Sequence, residues 1–65
     1  MFNLPKGTAY VTYSDFTKEE YGMMDDITKE EADAIKLEFE KRRAKLVIAV
    51  TLIVNSSVAV CYNYT

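Results

Sequence analysis

Cys61 is the only thiol in the chain, and there is no histidine to activate it or to join it on zinc. A reactive cysteine needs a nearby cation or a helix N-terminus to hold its thiolate. The nearest preceding base is Lys45, and none follows, so Cys61 reads as a passive, half-buried side chain. Asp25-Asp26 with Glu30-Glu31 offer carboxylates to a hard cation. Calcium loops alternate oxygen ligands around a central glycine and close on a bidentate glutamate. This spacing does neither, and a solvated helix start accounts for the acids. Lys41, Arg42, Arg43 and Lys45 are bases that could meet phosphate, anionic lipid or RNA. No aromatic residue interleaves them, and a solvated helix end accounts for them better. The sequence has no Ser-His or Cys-His pair, no Gly-rich phosphate loop and no metal-ligand cluster. A non-enzymatic protein without cofactor or metal is expected, one that acts by contact.

Size and charge narrow the kind of contact. The chain has 65 residues, and a domain this short buries only about 60% of the surface its unfolded chain exposes. One cysteine permits no internal disulfide, so the usual supports left are a partner or a membrane. The start, MFNLPKGTAY, has no apolar run behind a basic end and does not read as a signal peptide. With the lone cysteine this favours a cytoplasmic location. The net charge of -2 is unevenly spread. Residues 15–33 carry eight acids against two lysines, residues 34–45 carry five bases against two acids, and residues 46–65 carry no charge. Without a dominant basic stripe, direct nucleic-acid binding is not expected.

Stepping along the chain, residues 1–7 read as an extended lead-in, because the residue before Pro5 avoids the helical region. Residues 8–14 alternate β-branched and aromatic side chains and read as a strand, with Ala9, Val11 and Tyr13 on one side. Thr17-Lys-Glu-Glu20 has the form of a capping box, so 17–23 reads as a short helical turn stopped by Gly22. Thr28-Lys-Glu-Glu31 repeats that form before a longer run of helix formers, and 28–44 reads as the main helix. Ala32, Ile35 and Phe39 line one face of it.

The uncharged tail admits two readings. As one helix, 46–64 is long enough to cross a bilayer, with Lys41–Lys45 as its cytoplasmic flank. As two strands, 47–54 and 58–64 fold back at Asn55-Ser56-Ser57, since asparagine tolerates the left-handed conformation such a turn demands. The polar midpoint, the abundance of valine and isoleucine, and the otherwise unpaired strand 8–14 favour the hairpin. The preferred fold is therefore α+β, a β-α-β-β domain over residues 1–65. Its three-stranded sheet has strand 47–54 in the middle and one face covered by the main helix. The alternative is a mostly helical chain with a single transmembrane helix.

In the preferred fold, Ile48, Val50, Leu52, Val54, Val58, Val60, Tyr62 and Tyr64 face the helix. Val47, Ala49, Thr51, Ile53, Ala59 and Cys61 form an opposite face that one helix cannot cover. Tyr10 and Tyr21 are interface candidates, because tyrosine is enriched in interfaces. Glu19, Glu20, Asp25 and Asp26 offer charge that steers association. The expectation is an acidic inhibitor or adaptor that binds a larger macromolecule, such as a basic nucleic-acid-binding surface, or a second copy of itself. The alternative is a single-span accessory subunit of a membrane complex.

Overall fold

The computed structural model describes residues 7–64 as a small α+β domain, in the order β1 (Gly7–Tyr13), β2 (Lys18–Met24), α1 (Lys29–Arg43), β3 (Val47–Val54) and β4 (Ser57–Asn63). Residues 1–6, most of the expected lead-in, lie outside the described residues. The four strands form one antiparallel sheet in the order β2-β1-β3-β4. The preferred hairpin is present as β3–β4, and no helix among the described residues is long and apolar enough to cross a membrane, so the alternative span 46–64 does not form.

α1 forms where its capping signals place it. Thr28 accepts from the Glu31 amide at 3.2 Å, and Glu31 Oε1 accepts from the Thr28 amide at 2.9 Å, a reciprocal box. Glu30 and Glu31 open the helix and Lys41, Arg42 and Arg43 close it, matching the dipole. Ala44, at φ 57, ends it. The chain then turns, and Leu46 is exposed. The Glu40 carboxylate accepts from the Val47 amide at 3.0 Å and ties the helix end to the start of β3. α1 runs across the sheet. Ile27, just before it, gives its carbonyl to the Tyr62 hydroxyl of β4 at 3.0 Å, while Phe39 meets the Tyr21 ring of β2 at 5.9 Å.

The expected three strands are four. Segment 17–23 is not a helical turn, because it belongs to β2. Thr17 does not cap a helix: its amide and hydroxyl both donate to Asp15 Oδ1, at 3.1 and 2.6 Å, and so close the turn between β1 and β2. Gly22 leaves too few residues for a stable helix here. Pairing with β1 satisfies the backbone instead.

The core lies between α1 and one sheet face. Ala9, Val11 and Tyr13 from β1 meet Val47, Val50 and Leu52 from β3 under Ile27, Ala32, Ile35 and Phe39. Val54, Val60, Tyr62 and Tyr64 pack at its border, as the alternation predicts. Three positions break that alternation. Thr12 pairs with Ala49 but Tyr13 with Val47, leaving Ile48 as the extra residue of a bulge. Leu52 pairs with Val60 but Ile53 with Val58, leaving Ala59 extra in β4. Ala9 pairs with Gly22 but Tyr10 with Glu20, leaving Tyr21 extra in β2. A bulge moves every residue beyond it to the other face relative to strict alternation. Val47 is therefore core, at 2% exposure, and not part of the open face. Ile48 lies outside the core cluster, and Val58 is 62% exposed.

Candidate functional site

The face of the sheet away from α1 has no element over it among the described residues. Strand register arranges its side chains in cross-strand rows. Met23, Thr8, Ile53 and Val58 line up across all four strands, as do Glu20, Tyr10, Thr51 and Cys61 in the next row. Lys18, Thr12, Ala49 and Asn63 form a third. The chemistry is graded along the strands. The first row is the most apolar, and its flanking members Met23 and Val58 are 69% and 62% exposed. The third is polar. Asp25 and Asp26 follow directly from the β2 end of the apolar row and are exposed.

Of the residues singled out from sequence, the structure brings Tyr10, Glu20, Ala49, Thr51 and Ile53 together on this face. It separates three others. Val47 is in the core. Tyr21, pushed out of alternation by its bulge, leans on Phe39 on the helix side. Glu19 also turns to the helix side. There its Oε1 accepts from the Tyr13 hydroxyl at 2.6 Å and from Arg43 Nε at 3.0 Å. The Arg43 guanidinium, with help from Tyr13, holds the Glu19 carboxyl down at about 2. Glu19 thus ties β2 to the end of α1 on the helix side of the sheet.

Ion pairing redistributes the remaining charge. Asp15 meets Lys45 at 3.1 Å, Asp33 meets Lys29 at 3.2 Å, Glu40 meets Lys36 at 3.0 Å and Glu38 meets Arg42 at 2.7 Å. These pairs occupy most of the bases at the end of α1, leaving Lys41 as the member of that group without an ion pair among the described residues. Glu20, Asp25, Asp26, Glu30 and Glu31 make none among the described residues either, so the unmatched charge of the surface is mostly negative. The hollow around Leu37, Glu38, Lys41 and Arg42 on the outer side of α1 is about 520 Å³ and open to solvent.

Sequence reading missed Met23, Val58 and Phe16. Met23 depends on β2, and Val58 on the Ala59 bulge. Phe16 sits in the β1–β2 turn at φ 68 and is 79% exposed. Its signal was the Ser14-Asp15 pair, which favours a turn ahead of it. Cys61 is exposed, with its sulfur 3.6 Å from the Thr51 hydroxyl. Among the described residues no acids or cysteine gather in a group that could hold a metal ion. Set against known proteins, the chain matches no protein-family model, no curated protein and no solved structure.

Proposed function

We propose that this chain is a small non-enzymatic interaction module, an adaptor or inhibitor that docks its open sheet face on a larger protein. The observation that carries this reading is the row Met23, Thr8, Ile53 and Val58, mostly apolar across four strands and, among the described residues, uncovered and bordered by acids that make no ion pair. Exposed apolar patches with a polar rim are characteristic of protein-binding surfaces. Tyr10, in the next row, adds a large side chain of low conformational entropy, a residue type enriched in interfaces. The acids Glu20, Asp25 and Asp26 fit a partner whose own rim is basic, and one such partner is a nucleic-acid-binding surface that this protein would block.

The test compares variants of the tethered chain as bait in extracts of its source cells. Ile53→Lys places a charge at the middle of the apolar row without touching the core. It should leave the circular dichroism spectrum unchanged and release any protein that the parent retains. An unpaired charge desolvated in an interface costs about 3–5 kcal/mol. Lys41→Glu, on the helix side, should retain it. Asp25→Lys with Glu20→Lys should slow association, and less so at high salt, because screening already removes the steering. Equal retention by Ile53→Lys and the parent would place the interface elsewhere.

A further inference from the structure

The two edges of the sheet are built differently. β2 carries Lys18, Glu19 and Glu20, a bulge at Tyr21, and Gly22 at φ 153. Charges and bulges are the features that keep an edge from pairing with another chain. β4 has no charged residue from Ser57 to Asn63, and its bulge at Ala59 leaves the following residues in regular register with β3.

The ladder between β3 and β4 fixes which backbone groups of β4 are left over. The Tyr64 amide donates to the Ile48 carbonyl at 2.8 Å. Antiparallel pairs alternate between hydrogen-bonded and non-hydrogen-bonded. Tyr62, opposite Val50, is therefore bonded inward like Tyr64. Cys61 and Asn63, opposite Thr51 and Ala49, turn their N–H and C=O groups outward. An outward row of alternating donors and acceptors is satisfied in full by one kind of occupant, an extended strand.

We propose that β4 pairs with β4 of a second copy, antiparallel across a two-fold axis, joining the two four-stranded sheets into one continuous sheet. The axis passes at Tyr62. Cys61 of each copy then faces Asn63 of the other, and the outward N–H and C=O of both residues are used on both sides. A register centred on Cys61 would instead bring Asn63 against the bulged Ala59, which cannot present its groups in line. The occupant is a second copy because the strand is self-complementary. A two-fold sets uncharged residues against uncharged residues, so no charge is stripped of water, and each copy gives the other the same hydrogen bonds that it receives. The protected β2 edges remain outermost and stop the sheet from growing further. On the helix side, Tyr62 of one copy meets Tyr62 of the other, an aromatic cross-strand pair of a favourable kind. Each ring is already held by its hydrogen bond to the Ile27 carbonyl. This contact lies in the plane of the sheet and does not depend on what docks on the open face.

Sedimentation equilibrium of the full chain under reducing conditions tests it. The parent should be a dimer. Cys61→Pro removes an amide hydrogen that the ladder to β3 does not use, and proline is tolerated on an edge strand with its N–H side to solvent. That variant should keep its circular dichroism spectrum and sediment as a monomer. Cys61→Lys should weaken the dimer about tenfold by setting two like charges across the axis, and Cys61→Lys with Asn63→Glu should recover it through two Lys–Glu pairs. Ile53→Lys should stay dimeric. A parent that is monomeric throughout, or a folded Cys61→Pro that remains dimeric, would overturn the proposal. So would a dimer lost in Ile53→Lys and kept in Cys61→Pro. If Cys61→Pro unfolds, the lysine pair decides: failure of the double variant to recover the dimer overturns the register and the interface together.

Discussion

Arg43, the last residue of α1, reaches back twenty-four positions to fork onto the Glu19 carboxylate in β2. Tyr13 of β1 donates to the same carboxylate, so one anion joins the helix to the edge of the sheet and to its centre. This tie sets an acid limit on the fold. Glu19 is held at about 2 against an ordinary 4.5, first by the Arg43 hydrogen bonds and then by Tyr13. Asp15 is held at about 2 against 3.8, first by Thr17 and then by Lys45. Both folded values lie below the unfolded ones, so the unfolded chain takes up protons first. The contribution is complete above about pH 4.5 and shrinks as pH falls toward 2. The thermal midpoint should drop across that window, and Glu19→Gln should flatten the drop. An unchanged slope in Glu19→Gln would assign the acid limb to other carboxylates.

Phe16 pairs an unfavourable backbone with a side chain that is almost fully exposed. A bulky residue at positive φ is an outlier, and such strain costs on the order of 1 kcal/mol. Phe16→Gly should therefore raise the unfolding free energy by about 0.5–1 kcal/mol despite the greater freedom glycine gives the unfolded chain. Chemical denaturation would measure the gain. A loss would mean that the Phe16 ring packs in solution.

The β3–β4 turn has two residues at positive φ, Asn55 at 52 and Ser56 at 65. Positive φ at both central positions is the type I′ requirement, and Asn-Gly is its favoured pair. Ser56→Gly should stabilise by up to about 1 kcal/mol, while Asn55→Gly should change little, because asparagine already tolerates this region. A Ser56→Gly variant less stable than the parent in denaturant titration would contradict the turn geometry.

Equal truncations at two valines test the bulges. Val47→Ala removes buried methyl groups from the core and should cost about 2 kcal/mol. Val58→Ala removes them from an exposed position and should stay within about 0.5 kcal/mol. Strict alternation predicts the reverse order, so the ranking of the two denaturation midpoints decides between them.

Much of the fold was legible because its signals are local. The Thr28 box, the apolar spacing of Ala32, Ile35 and Phe39, the alternation of Ala9, Val11 and Tyr13, and the left-handed Asn55 depend on near neighbours in the chain. β2 was not legible for the opposite reason. Thr17-Lys-Glu-Glu20 satisfies a helix-start pattern, and what makes the segment a strand is the edge of β1 beside it and an arginine far along the chain. The open face was half legible. Tyr10, Ala49, Thr51 and Ile53 follow from alternation, but Met23 requires β2. Val47 and Val58 exchange faces at bulges that no local composition marks, since Ile48 and Ala59 are ordinary strand residues.

The strand order has a consequence for how the chain folds. β1 is a central strand, and its inner neighbour β3 begins thirty-four positions after β1 ends. Bringing those two strands together costs more loop-closure entropy than the short β1–β2 turn does. Until they meet, the β1–β2 hairpin presents Ala9, Val11 and Tyr13 without a cover and the inner edge of β1 without a mate. A chain in which only that hairpin has formed is thus open to adhesion, and docking of β3 is what seals it.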